Sequence, residues 1–218
     1  MDPVLELPKL IAETPDFWVV DKPAGWLTKA PDHARPGRAA EPVLHQWLSR
    51  DRSAKAWVIH RLDRETSGLV LFARSADAHR RACLWFEKRQ AKKLYDCLAS
   101  GTAGAPVLRF DAPIEGKRCL TQVECVKQGP TAFLGRVRLE TGRRHQIRIH
   151  LSRAGHPLLG DSRYGGPSDW SPAAGAPAMR VGRVALHARR LELPEGAGAW
   201  ESPWPRDFAL WAERISSR

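Results

Sequence analysis

A chain of 218 residues, 43% hydrophobic and 27% charged, is long enough to bury a real core and has a globular composition. The formal net charge of +11 comes from 35 basic against 24 acidic residues. Arginine makes up 26 of the basic residues, and its planar fork of donors suits phosphate and stacks on bases, so nucleic acid is the expected partner. No apolar stretch approaches the roughly 20 residues that span a bilayer. The start, MDPVLELPKLIAETPDF, lacks the basic lead and apolar core of a signal peptide, so a cytoplasmic location is expected.

In chain order, Phe17 to Val20 reads as a short strand that enters a turn at Asp21-Lys22-Pro23-Ala24-Gly25. Residues 29–41 are polar, contain Pro and Gly, and predict an exposed loop. Pro42 to Arg50 predicts a short helix with Val43, Leu44, Trp47 and Leu48 on one side. Leu69 to Ala73 is apolar at consecutive positions, as in a strand covered on both faces. Ser75 is placed to cap a helix in which Ala82, Trp85, Phe86 and Arg89 share a stripe, with Trp85 read as core. Leu94 to Ser100 reads as a strand ended by Gly101. Two alternating runs within 119–140 predict an antiparallel pair. Residues 165–178 are loop by composition, His187 to Leu193 is a strand, and Phe208 to Ile215 is a terminal helix. With no internal repeat or sharp linker, the chain reads as one domain, 1–218, of α+β class with a largely antiparallel sheet.

Cys83, Cys97, Cys119 and Cys125 show no C-x-x-C spacing, so they are read as reduced fillers rather than zinc ligands. No H-E-x-x-H occurs among the eight histidines, and no metal is expected.

Two segments carry the chemistry. Residues 60–74, HRLDRETSGLVLFAR, set Asp63 between Arg61 and Arg64, ahead of a small-residue turn at Thr66-Ser67-Gly68 and an apolar strand. A carboxylate between cations can serve as a nucleophile or an electrostatic anchor, while the arginines suit a polyanion. Taken alone, the same pattern fits a surface ion pair worth under about 1 kcal/mol. Residues 141–166, TGRRHQIRIHLSRAGHPLLGDSRYGG, place Ile147, Leu151 and Ala154 at helical spacing, with Gly155 at a left-handed helix end. Alternation of Ile147, Ile149 and Leu151 also permits a strand; helix is the preferred reading. Arg144 and Arg148 would then lie one turn apart, and with Arg143 and Arg153 they form a dense cationic patch.

The first segment resembles, nearly letter for letter, the catalytic motif of the RluA-type RNA pseudouridine synthases, and the second resembles their C-terminal motif. Lys22-Pro23-Ala24-Gly25 is similar to the family's N-terminal turn, Lys93-Leu94-Tyr95 to its tyrosine strand, and Leu186-His187-Ala188 to its closing motif. The resemblance covers roughly residues 16–212 and implies the family's catalytic fold with a central RNA-binding cleft. It further implies isomerisation of uridine in transfer or large-subunit ribosomal RNA, without a cofactor.

On this resemblance Asp63 is the catalytic aspartate, by direct attack or by assisting a glycal route, which the sequence does not separate. Tyr95 would pack on the base and take the ring-carbon proton. Arg148 would pair with Asp63, with Arg143 the runner-up. Arg61 would enter the RNA helix in place of the flipped nucleotide, since a stacked uridine is out of reach of a carboxylate. Arg64, Arg143, Arg144, His145 and Lys22 complete the expected RNA contacts. His60 is read as holding the loop.

The chain departs from many relatives at Trp26 and Thr28, which stand where those have a smaller apolar residue and a Val-His pair. Few residues precede Phe17, so the single-domain branch, acting as a monomer with no membrane partner, is expected. The competing class is a non-catalytic RNA-binding or RNA-chaperone protein using the same basic cleft. A hydrolase using Asp63 with His145 or His60 lacks a serine elbow or paired carboxylates.

Overall fold

The computed structural model describes residues 6–31 and 41–215. Most of the predicted 29–41 loop (residues 32–40) lies outside the described residues. The elements run β1 (Lys9–Glu13), β2 (Phe17–Lys22), α1 (Leu44–Asp51), β3 (Trp57–Val58), β4 (Ser67–Ala73), α2 (Ala76–Glu87), β5 (Lys92–Ser100), β6 (Val107–Phe110), β7 (Thr121–Gln128) and β8 (Ala132–Leu139). They continue with α3 (Gln146–Arg153), a 3-10 turn (Ser162–Tyr164), β9 (Asp169–Trp170), β10 (Met179–Arg180), β11 (Leu186–Leu193), β12 (Gly198–Glu201) and α4 (Arg206–Glu213). The architecture is α+β, as predicted. The chain forms two compact units, Met1–Ala91 with Arg190–Ser202, and Lys92–Arg189 with Pro203–Arg218.

In the first unit β2 lies antiparallel between β1 and β4, with Val19 opposite Leu71. Every residue of β4 is buried, which is why its sequence lacks alternation. Phe17, Val19, Leu69, Leu71 and Ala73 pack against Ala78, Ala82 and Trp85 of α2. The Trp85 ring lies 6.1 Å from that of Phe17, and burying a side chain of this size stabilises by about 3 kcal/mol. Ser75 caps α2 as expected, accepting from the Ala78 N–H at 3.1 Å. Arg89, assigned to the α2 stripe, instead lies beyond its end in a left-handed conformation (φ 59°).

In the second unit β5, β8, β7 and β6 form an antiparallel ladder in that order. Tyr95, Val137, Val123 and Leu108 stand side by side across it. Packing over this ladder is close enough that a Cβ on Gly135 would meet Val123 Cγ1 at 2.8 Å and Cys97 Sγ at 3.1 Å. A further core gathers Leu98, Ala132, Leu134, Leu159 and Trp170 with Phe208, Trp211 and Ala212 of α4. The segment 165–178 is not all loop. Asp169–Trp170 pairs with Met179–Arg180, and the buried Trp170 indole donates to the Thr131 hydroxyl at 2.9 Å.

Candidate active site

Asp63 stands at a turn braced from several sides within the first unit. Its main-chain carbonyl accepts from the Thr66 N–H at 3.1 Å, closing the turn ahead of β4. On the preceding residue, the Thr28 hydroxyl accepts from the Leu62 N–H at 3.1 Å and donates to the Leu62 carbonyl at 3.2 Å, as a neighbouring strand would. Thr28, one of the two departures from the family pattern, thus has a definite local task. Trp26, the other, is buried and donates from its indole to the Glu6 carbonyl at 3.0 Å. On the following residue, the Arg64 carbonyl accepts from the Gly25 N–H at 2.8 Å and from Lys22 Nζ at 3.1 Å.

Lys22 is fully buried, and its ammonium also donates to the carbonyls of Pro23 (3.1 Å) and Trp26 (3.0 Å). A buried ammonium is tolerable only when surrounded by acceptors. Lys22 therefore fastens the Pro23–Trp26 turn to the Asp63 turn, a role that the expectation of an RNA contact had not contained. His60 holds the entry to the turn, as read from the sequence. Its Nε2 accepts from the Leu71 N–H at 3.0 Å, and its ring stacks on Phe86 at 4.7 Å and 17°. Asp63 itself is half-buried between an exposed Arg61 and an exposed Arg64, whose guanidinium reaches Glu41 at 3.3 Å.

The other predicted residues lie in the second unit. Tyr95 is a buried residue of β5, opposite Val137. Lys93 shares its strand face two residues away, and burial pushes its amine below the ordinary lysine value. Residues 146–153 are a helix, and Gly155 is left-handed after it (φ 81°), as predicted. Arg144 precedes this helix, so it does not lie one helical turn from Arg148 as expected. Arg143 and Arg144 are exposed, whereas Arg148 is 4% exposed and so lies outside the surface cationic patch.

The buried Arg148 guanidinium donates from Nε and Nη2 to the two oxygens of Asp161, each at 2.7 Å. Asp161, itself fully buried, escaped the sequence reading although it stands in the Gly-Asp step of the second motif. Its glycine neighbours explain that step. A Cβ on Gly160, at φ 75°, would lie 1.9 Å from the Arg183 carbonyl, and one on Gly166 would lie 1.8 Å from the Leu158 carbonyl. The loop ahead of α3 is held by buried Gln146. Its Oε1 accepts from the Thr141 hydroxyl (2.7 Å) and the Arg143 N–H (3.1 Å), while Nε2 donates to the Leu120 carbonyl (3.0 Å) and the Thr121 hydroxyl (2.9 Å).

The first unit thus carries a carboxylate on a braced turn flanked by exposed arginines, and the second a buried tyrosine and an arginine fixed by a carboxylate. Comparison with known proteins gives the class. Residues 16–153 match the family described as RNA pseudouridylate synthase. The chain is 32% identical to the ribosomal large subunit pseudouridine synthase D of Pseudomonas aeruginosa, over 93% of this chain and 70% of that one. It is 31% identical to the protein of the same name from Nitrosomonas europaea, over 95% of this chain and 65% of that one. The fold matches human RNA pseudouridylate synthase domain containing 1 with a TM-score of 0.72 at 25% identity, covering 97% of this chain and 89% of that one. The chain belongs to the RluA-type family of RNA pseudouridine synthases, enzymes that isomerise uridine within RNA.

Proposed function

We propose that this chain converts specific uridines of large-subunit ribosomal RNA to pseudouridine, using Asp63 as the catalytic carboxylate on a flipped-out nucleotide. The bracing of the Asp63 turn by Lys22, Thr28 and His60 carries this reading, because a binding module has no need to fix the main chain around one carboxylate from so many sides. The names of the bacterial relatives favour ribosomal over transfer RNA.

In the reaction the bond from the ribose C1′ to N1 of the base breaks, the base turns, and C1′ bonds to C5. The C5 proton then leaves and N1 gains one, so atoms and electrons balance with no oxidant or cofactor. Asp63 promotes the first cleavage, Tyr95 faces the base and takes the C5 proton, and Arg148 supplies a fixed positive charge. Arg61, Arg64, Arg143, Arg144 and His145 contact the RNA, whose nucleotide must leave the stack before a carboxylate reaches its sugar. We read both units as one catalytic domain that works as a monomer in the cytoplasm. Among the described residues, no helix is long and apolar enough to cross a membrane.

The test is tritium release from C5-labelled uridine in unmodified large-subunit ribosomal RNA and, separately, in unmodified transfer RNA, with Asp63→Ala alongside. Release from ribosomal RNA by the wild type alone is expected. Release from transfer RNA alone would change the substrate, and no release from either, with binding intact, would leave an RNA-binding protein.

A further inference from the structure

Three residues at and within α3 are His145, directly before the helix, and Arg148 and Ser152, one turn apart on it. All three engage the short turn that contains Asp161 and Tyr164. Arg148 holds Asp161 through the two hydrogen bonds described. The Ser152 hydroxyl donates to the Tyr164 carbonyl at 2.7 Å, and His145 Nδ1 shares a hydrogen bond with the Tyr164 hydroxyl at 2.9 Å. The Arg148 guanidinium carbon also lies 5.2 Å from the centre of the Tyr164 ring. Arg148 thus has a carboxylate at its edge, and its guanidinium carbon lies over an aromatic ring. The ring is anchored in turn at its hydroxyl and at its main chain.

We propose that Tyr164 is a positioning residue for catalysis, restraining the Arg148 guanidinium and linking it through His145 to the loop that carries Arg143 and Arg144. Two features separate this arrangement from ordinary packing. The phenol is only half-buried, yet its hydroxyl bonds a protein side chain at 2.9 Å. That side chain belongs to His145, a non-glycine residue in the left-handed region (φ 55°) directly before α3, a conformation that persists only where the surroundings impose it. The two hydrogen bonds to Asp161 direct the guanidinium, and the Tyr164 ring beneath its carbon adds a second restraint through the attraction of cation and ring.

The inference rests on the proposed role of Arg148, and the experiment separates the two. Steady-state kcat and KM, and RNA affinity, would be measured for Tyr164→Leu, Tyr164→Phe, Arg148→Lys and the Arg148→Lys/Tyr164→Leu double variant, with Tm followed throughout. Tyr164→Leu is expected to lower kcat about tenfold with RNA affinity within about twofold of wild type, and Tyr164→Phe to recover most of that loss by restoring the ring. In the Arg148→Lys background, where the guanidinium and its fork on Asp161 are gone, removing the ring should cost nothing further. If Arg148→Lys is as active as wild type, the reading of Arg148 itself fails. If Arg148→Lys is impaired but Tyr164→Leu turns over normally, loses only affinity, or costs the same factor in both backgrounds, Tyr164 does not act through Arg148. Should Tyr164→Leu fail to fold, Tyr164→Gln replaces it in both backgrounds under the same criteria.

Discussion

In the sequence Lys22 looks like a solvent-facing cation beside a turn; in the fold it is an interior bolt. Its acceptors include the carbonyls of Pro23, Trp26 and Arg64, the last 42 residues away in the chain. Replacing it with methionine keeps the volume and removes the donors, leaving buried carbonyls short of a partner. Lys22→Met is expected to cost roughly 3 kcal/mol, seen as a Tm lower by roughly 6–12 °C. It should also reduce kcat by loosening the Asp63 turn, while RNA affinity changes little. A variant with unchanged Tm and a large loss of affinity would instead restore Lys22 to the RNA-binding surface. At this scale the sequence told residue type and order, and the resemblance singled out Asp63. It did not distinguish an arginine that faces solvent, such as Arg144, from one that is buried, such as Arg148, because both sit in the same basic run.

The helices and long strands were legible because their signals are local. Ser75 at the start of α2, Gly155 after α3 and the unbroken apolar run of β4 each express a short-range requirement for a cap, a left-handed residue or two covered faces. The strands β1, β6 and β12 went unread. They are short and mostly half-exposed, and in the pairings described each has one partner, so they carry neither a continuous apolar run nor a strong alternation. The terminal helix α4 is tied in by a contact that the sequence also hides. Arg183 donates to both oxygens of Asp207, at 2.6 and 2.8 Å. Partial burial alone would raise the Asp207 carboxyl, but the Arg183 hydrogen bonds and charge outweigh it and hold the group below the usual carboxylate range. A carboxyl lowered in the folded state stabilises fully above its unfolded value of about 3.9 and ceases to do so as pH falls through the folded value. Asp207→Asn should therefore lower stability by no more than about 1 kcal/mol at neutral pH, since part of the carboxylate meets water. The difference from wild type should begin to narrow as pH falls below about 4. Denaturant titrations at pH 7 and pH 3 check this; an equal gap at both values would show that the pair contributes nothing through its charge.

For the molecule as a whole, a net charge of +11 rich in arginine makes the affinity for RNA salt-dependent. If Arg143 and Arg144 each neutralise one phosphate, Arg143→Gln/Arg144→Gln should reduce the slope of log affinity against log salt by about 1.4, following roughly 0.7 per phosphate on single-stranded RNA. Binding titrations across a salt series measure it, and an unchanged slope would remove both residues from the RNA face.

The sequence by itself determined the family, the α+β class, the main strands and helices, and the identity of the proposed catalytic aspartate. Turn chemistry, capping and hydrophobic period act over a few residues, and the motifs are contiguous. Only the tertiary structure decided that Lys22 closes the Asp63 turn, that Asp161 fixes Arg148, and that Tyr164 and His145 stand behind that pair. Each of these joins segments that lie far apart in the chain or on separate elements. Burial then turns such a contact from an optional surface pairing into a requirement, because a buried charge without its partner is costly.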